Sequence, residues 1–152
     1  MLLLLSGCSR EPAAGNAVSP SATMPVPAVV AYRLDPARAG RGAEIYGQNC
    51  ARCHGANAEG APNWQQPGAD GKYPAPPLNG TGHAWHHPAA VLKMTIRRGT
   101  LAMGGSMPAW EGKLGDDDIE AVIAWFQSRW PEEIYQSWQA MDRKARSGQA
   151  VR

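Results

Sequence analysis

Two cysteines separated by two residues and followed at once by a histidine, Cys50-Ala51-Arg52-Cys53-His54, carry the clearest chemistry in this chain. On a helical turn, thiols with this spacing can reach the two vinyl groups of one porphyrin and form thioethers, the pattern typical of c-type haem attachment. The next residue, His54, then lies beneath the iron, where a neutral imidazole nitrogen can ligate it. The motif therefore predicts one covalently attached haem c, held by Cys50, Cys53 and His54.

Two other kinds of site use cysteines with this spacing, namely a thioredoxin-like redox pair and a zinc ribbon. A redox pair does not need the adjacent histidine, and a zinc ribbon needs a second Cys or Cys/His pair. The only other cysteine, Cys8, is far away in the sequence. Haem attachment is therefore favoured over both alternatives.

The composition indicates one small domain with tails. The chain has 152 residues and a net charge of +2, and its single Phe, 13 Pro and 17 Gly predict a modest core with much loop. A porphyrin would supply the missing apolar bulk, so we expect folding to depend on it. The weak net charge gives no reason to expect a nucleic-acid partner.

The N-terminus resembles the lipobox of bacterial lipoproteins, because a short apolar run ends in Leu5-Ser6-Gly7-Cys8. In that family the cysteine becomes the acylated N-terminus, so the resemblance implies that Cys8 carries the lipid and that residues 1–8 are a remnant signal. The run is short and lacks a basic region, which suggests a start codon further upstream. The alternative is a cleaved secretory signal without a lipid. We expect a lipid-anchored protein on the periplasmic side of a bacterial membrane, or a soluble periplasmic one.

Residues 9–34 are rich in Ala, Pro, Ser and Val and carry little charge, which predicts a flexible, disordered linker. The first helix is predicted to begin at Asp35-Pro36, with Asp35 as N-cap and proline in the first helical position. Along that helix Gly42 and Tyr46 share one face. A mid-helix glycine costs about 1 kcal/mol relative to alanine, so Gly42 suggests a close approach of another helix.

A strongly amphipathic helix is predicted to begin near Asp116. Its acidic first turn complements the helix dipole, and Asp117 and Glu120 have the spacing of a capping box. The apolar positions that follow are Ile119, Val122, Ile123, Trp125 and Phe126.

From residue 39 to 130 the chain resembles the class I cytochrome c family. The motifs that carry the resemblance are Gly42 and Tyr46, the CxxCH of residues 50–54, the Pro76-Pro77-Leu78-Asn79-Gly80 segment, Met107-Pro108, and the last helix with Trp125. The resemblance implies an all-α class I cytochrome c fold, with three to five helices around one covalently bound haem and a domain spanning residues 35–130. It also implies that the first and last helices cross with a glycine against an aromatic residue, here Gly42 against Trp125.

The same resemblance assigns further haem contacts. The Pro76 carbonyl would accept a hydrogen bond from His54, and Leu78 would cover the porphyrin. Met107 would be the sixth iron ligand, because it precedes a proline and lies seven residues before Leu114. Met103 is the competing ligand, and a simple packing role for Met107 is the remaining alternative.

Three further segments show patterns that are less specific than the CxxCH motif. His83, His86 and His87 precede a predicted helix over residues 88–98, where they are expected to cap it and face solvent rather than bind metal or haem. Residues 62–74 are expected to form a surface loop. Residues 131–152 predict a C-terminal helix and tail, with an apolar stripe expected to pack back on the haem domain.

These patterns together predict a monohaem electron carrier of a respiratory-type chain, rather than an enzyme. With His54 and Met107 as axial ligands of the iron, no open position remains for a substrate, and the partners would be redox proteins. Two alternatives remain open. One is a haem-based ligand sensor or peroxidase-like enzyme with a labile sixth ligand, and the other is a copper-handling haem protein that uses the histidine cluster.

Overall fold

The computed structural model describes residues 35–149, and within this range it contains five α-helices and no strand. The helices are α1 (Pro36–Asn49), α2 (Ala51–His54), α3 (Ala89–Arg98), α4 (Asp116–Gln127) and α5 (Glu132–Gln149). Two 3₁₀ turns, Ala84–His86 and Leu101–Met103, interrupt the loops around α3. The predicted all-α cytochrome c fold is confirmed. The predicted signal remnant and linker lie outside the described residues.

The crossing of α1 and α4 organises the core. A Cβ atom on Gly42 would fall 1.9 Å from the Ala121 carbonyl oxygen and 2.9 Å from Cβ of Trp125, so the two backbones touch at this glycine. One turn later the buried Tyr46 ring lies 4.0 Å from the Trp125 ring, centroid to centroid. The predicted glycine-to-aromatic crossing is therefore present in the structure.

The predicted N-cap of α1 is confirmed, whereas the predicted capping pair of α4 is not. Asp35 is the N-cap of α1, accepting the Ala37 N–H at 3.0 Å, with proline at the first helical position as predicted. The predicted capping pair of Asp117 and Glu120 is wrong, because α4 begins two residues earlier than that pair requires. Gly115 is the N-cap, and the Asp118 carboxylate accepts its N–H at 3.3 Å. Since glycine has no side chain, only this half of a capping box exists.

Helix α5 packs back on the rest of the chain, as expected from its apolar stripe. Tyr135 and Trp138 are buried, and the Trp138 Nε1–H donates to the His87 carbonyl at 2.9 Å. The side chain of Asp142 is also buried and accepts the Ala89 N–H at 2.9 Å, which caps the start of α3. Within residues 35–149 no helix combines the length and the apolar character needed to cross a membrane.

Candidate functional site

The two cysteines of the CxxCH motif sit where α1 gives way to α2. The Cys50 N–H still donates to the Tyr46 carbonyl at 2.8 Å, while the Cys50 carbonyl accepts from the Cys53 and His54 N–H groups at 3.1 and 3.0 Å. Cys50 is half-buried and Cys53 is exposed, and neither is in a disulfide. Burial, reinforced by the neighbouring Cys53, raises the pKa of the Cys50 thiol to about 11, although Arg52 opposes this. Both sulfurs are thus placed on one helical turn next to the histidine.

The imidazole of His54 is held in a defined orientation. Its Nδ1 lies 2.8 Å from the Pro76 carbonyl oxygen, the contact implied by the resemblance. A carbonyl can only accept, so Nδ1 carries the hydrogen and Nε2 keeps a free lone pair. Only 8% of the His54 surface is exposed, and this burial lowers the pKa of the imidazole, with the hydrogen bond to Pro76 partly opposing it. A neutral imidazole with a free Nε2 fits an iron ligand.

The acceptor of this hydrogen bond belongs to a segment that is closely packed. The Leu78 N–H donates to the Ala58 carbonyl at 2.8 Å, and the Gly60 N–H donates to the His54 carbonyl at 2.7 Å. Gly60 has a φ of +77°, and a side chain there would collide with the Pro76–Pro77 peptide. The loop after the histidine therefore packs directly on the segment that carries its acceptor.

Tyr46 contributes a second anchor that the sequence analysis did not assign. Its hydroxyl donates to the Gly55 carbonyl at 2.8 Å, immediately after His54. Burial raises the pKa of this phenol above its ordinary value, so the hydroxyl stays protonated as the donor. The sequence showed only that Tyr46 shares a face with Gly42, and no pattern linked its hydroxyl to the motif.

The two candidate methionines differ sharply in their surroundings. Met103 is 71% exposed on a 3₁₀ turn, whereas Met107 is half-buried. The Met107 N–H donates to Thr100 Oγ1 at 3.1 Å, and its carbonyl accepts the Thr100 N–H at 2.9 Å. Both backbone groups of Met107 are thus held by one residue. This difference favours Met107 over Met103, and its role as an iron ligand stays a prediction.

The loop of residues 99–115, which carries both methionines and is called the methionine loop below, also contacts the surface loop of residues 62–74. The Tyr73 N–H donates to the Gly104 carbonyl at 3.0 Å, and the Ser106 hydroxyl donates to the Tyr73 carbonyl at 3.0 Å. Residues 62–74 are mostly exposed, as predicted. The structure therefore gives that loop a role in supporting the methionine loop, which the sequence did not show.

The histidines before α3 pack against aromatic rings and, in one case, against each other. His83 stacks on Trp64 with centroids 5.4 Å apart, His86 stacks on Trp85 at 3.7 Å, and the His83 and His87 rings meet edge-on at 5.7 Å. Across residues 35–149 no three His, Cys, Asp or Glu side chains are grouped closely enough to hold a metal ion.

The donor set as a whole fits haem c. Two thiols on one turn precede a neutral, buried imidazole with a free Nε2, and a half-buried methionine lies on a loop whose backbone is anchored. Leu78 is half-buried beside the core, within the segment that carries the Pro76 carbonyl. Cys8, the predicted lipid site, lies outside the described residues.

Comparison with known proteins gives a consistent result. Residues 37–126 match the family model described as cytochrome c oxidase, cbb3-type, subunit III. Similar curated proteins include the cbb3-type cytochrome c oxidase subunit FixP of Bradyrhizobium sp. (strain ORS 278), which is 36% identical over 92 residues, covering 59% of this chain and 27% of that protein. The cbb3-type subunit CcoP of Azospirillum sp. (strain B510) is 34% identical over 91 residues, covering 60% of this chain and 28% of the relative.

A third relative, the cbb3-type subunit FixP of Rhizobium meliloti (strain 1021), is 32% identical over 88 residues, covering 58% of this chain and 26% of that protein. The matched part of the chain thus spans about a quarter of the length of these relatives. No solved structure matches the chain significantly.

Proposed function

The chain belongs to the cytochrome c oxidase, cbb3-type, subunit III family, and on this premise we propose that it is a monohaem c-type cytochrome that carries single electrons in a respiratory chain. One haem c would be attached through Cys50 and Cys53, with His54 and Met107 as axial ligands. The observation that carries the proposal is the buried His54, whose Nδ1 is hydrogen-bonded to the Pro76 carbonyl directly after the two thiols.

Each of these side chains has a definable task. Burial keeps His54 neutral, and the Pro76 carbonyl fixes its tautomer and strengthens Nε2 as a donor. Met107 offers a neutral thioether, a soft ligand that favours ferrous over ferric iron. When bound, haem c supplies a centre that is reversibly oxidised and reduced by one electron. With His54 and Met107 both bound to the iron, no position would remain for a substrate, which favours a carrier over an enzyme.

The relatives suggest where such a carrier works. They are named as subunits of cbb3-type cytochrome c oxidases. We propose that the present chain exchanges electrons with redox proteins of a membrane-associated respiratory complex, on the periplasmic side of a bacterial membrane. The lipobox-like Leu5-Ser6-Gly7-Cys8 supports a lipid anchor at Cys8.

The experiment that tests this proposal compares Met107→Ala with Met103→Ala. Visible spectra of the reduced, haem-containing protein are recorded before and after carbon monoxide is added, and the reduction potential of each variant is titrated. We expect the wild type and Met103→Ala to be unaffected by carbon monoxide, because both axial positions are held. Met107→Ala should bind carbon monoxide and have a lower potential.

Three other outcomes would contradict the proposal in different ways. A wild type that binds carbon monoxide has an open or labile sixth position, which would replace the carrier by a ligand sensor or peroxidase-like enzyme. A Met107→Ala protein that keeps the wild-type potential would exclude Met107 as the ligand. A preparation without covalently bound haem would refute the whole assignment.

A further inference from the structure

Trp130 occupies a junction between the haem motif and the C-terminal helix. It lies between α4 and α5, and only 1% of its surface is exposed. Its indole Nε1–H donates to the Leu78 carbonyl at 2.7 Å, a contact across 52 residues of sequence. Trp130 is the largest described side chain that is less than 2% exposed, and its one polar group binds the segment that follows Pro76.

The same segment packs on the backbone around Trp130. Gly80 has a φ of +98°, and a Cβ atom there would fall 2.9 Å from Cδ of Pro131 and 3.4 Å from Cα of Trp130. On its other side the segment is tied by the Leu78 N–H to the Ala58 carbonyl. The Leu78 N–H and the Leu78 carbonyl are therefore both hydrogen-bonded, and Trp130 supplies the donor for the carbonyl.

A displacement of Leu78 would be transmitted to Pro76. Only Pro77 separates the two residues, and the proline ring fixes φ near −65°, which removes one of the few rotations that could absorb the movement. Pro77 is itself buried, which leaves it little room to absorb the movement by a local change of its own. The Pro76 carbonyl is the acceptor for His54 Nδ1 at 2.8 Å.

We infer that Trp130 is a positioning residue for His54, acting through the Leu78 carbonyl to hold the Pro76 carbonyl in hydrogen-bonding geometry. The inference rests on the proposed function, since it concerns the ligand strength of His54. The Trp130 ring is itself supported by α5, with the Trp138 ring centroid at 5.8 Å in an edge-on arrangement.

The chain offers a matched pair of variants for the test, Trp130→Phe and Trp138→Phe. Each removes one buried indole N–H from a backbone carbonyl, Leu78 in the first case at 2.7 Å and His87 in the second at 2.9 Å. Both residues belong to the same aromatic cluster, so both variants should lower stability. Only Trp130→Phe alters the segment that carries the acceptor for His54.

Two properties of the full haem-containing chain are measured, the reduction potential and the exchange rate of the His54 Nδ1 proton, the latter by ¹⁵N-resolved NMR of the reduced protein. A weaker bond from Nδ1 to the carbonyl makes the imidazole a poorer donor, which favours ferrous iron. We expect Trp130→Phe to shift the potential in the positive direction. The weakened bond from Nδ1 to the Pro76 carbonyl should also accelerate the exchange, by up to about fivefold, which corresponds to the loss of one ordinary hydrogen bond of about 1 kcal/mol. Trp138→Phe should leave both properties at the wild-type values.

Equal responses of the two variants in both measurements would overturn the inference, whether both changed or neither did. If Trp130→Phe does not fold, Gly80→Ala displaces the same segment with the indole intact, and we expect the same two changes; wild-type values would then overturn the inference. Covalent haem is established first, from the haem colour that stays with the denatured chain. Its absence refutes the proposed function, whereas its presence with matching variants refutes the role of Trp130 alone.

Discussion

Replacing Gly42 by alanine tests the helix crossing on which the site depends. The new Cβ would lie 1.9 Å from the Ala121 carbonyl oxygen, where an ordinary contact needs at least 3.4 Å, so α1 and α4 would have to separate by about 1.5 Å. The obstruction is backbone, which cannot rotate away as a flexible side chain can. We therefore expect the substitution to disrupt the packing of α1 against α4 and to lower the free energy of unfolding.

The magnitude follows from two opposing effects. Overpacking of a well-packed core costs about 1–3 kcal/mol or more, and the rigid backbone here places Gly42→Ala near the top of that range. In the opposite direction, the higher helix propensity of alanine stabilises a helix interior by about 1 kcal/mol relative to glycine. The net loss in the free energy of unfolding should be about 2 kcal/mol.

Gly40→Ala is the matched control, because it lies in the same helix and a Cβ there meets nothing within 4 Å. It should gain about 0.5–1 kcal/mol from helix propensity alone. Urea unfolding of the haem-containing protein, followed by far-ultraviolet circular dichroism, measures both variants. The two should differ by about 3 kcal/mol, and equal midpoints would refute the close crossing.

Two further predictions concern contacts between helices. Asp142→Ala removes the carboxylate that accepts the Ala89 N–H, and urea unfolding should show a loss of about 1–3 kcal/mol, whereas Asp70→Ala in the exposed loop should be close to neutral. Glu120→Gln should cost less than about 1 kcal/mol at pH 7, since the carboxylate is 37% exposed. The hydrogen bond from Lys93 is the largest influence holding the pKa of Glu120 below its usual 4.5, so this stabilisation is complete above about pH 4.5 and disappears as the pH falls through the folded-state pKa. Thermal melting curves of the wild type and Glu120→Gln should converge in acid, and a gap that persisted there would contradict the ion pair.

The sequence was informative wherever the controlling residues are neighbours in the chain. Asp35 and the proline after it predicted the start of α1, because capping acts over two or three residues. Gly42 predicted a close crossing, because a glycine is costly in a helix unless something approaches it. The CxxCH motif predicted a c-type cytochrome for the same reason, since its spacing is fixed within one helical turn, and the family match supports this, while the individual haem ligands stay predictions.

The sequence was uninformative where a side chain meets a backbone group far away in the chain. The Trp130 contact with Leu78 and the Asp142 contact with Ala89 each span more than 50 residues. Periodicity detects which face of a helix is apolar, and it does not show which distant carbonyl or N–H a buried polar atom will meet. The misplaced capping pair on α4 has a related cause, because Glu120 instead forms ion pairs with Lys93 and Arg38 on two other helices.

Those distant contacts change how the C-terminal helix is understood. The N-cap of α3 is Pro88, which has no side-chain acceptor for the first free N–H groups of the helix. Asp142 of α5 supplies that acceptor from a position where only 3% of its surface is exposed. The domain boundary at residue 130 stays a prediction from the sequence. Two contacts connect the residues on either side of it, namely the hydrogen bond from the Ala89 N–H to Asp142 and the packing of Trp130 against Trp138. Helix α5 therefore contacts both the start of the helix that leads towards Met107 and the tryptophan whose indole N–H donates to the Leu78 carbonyl.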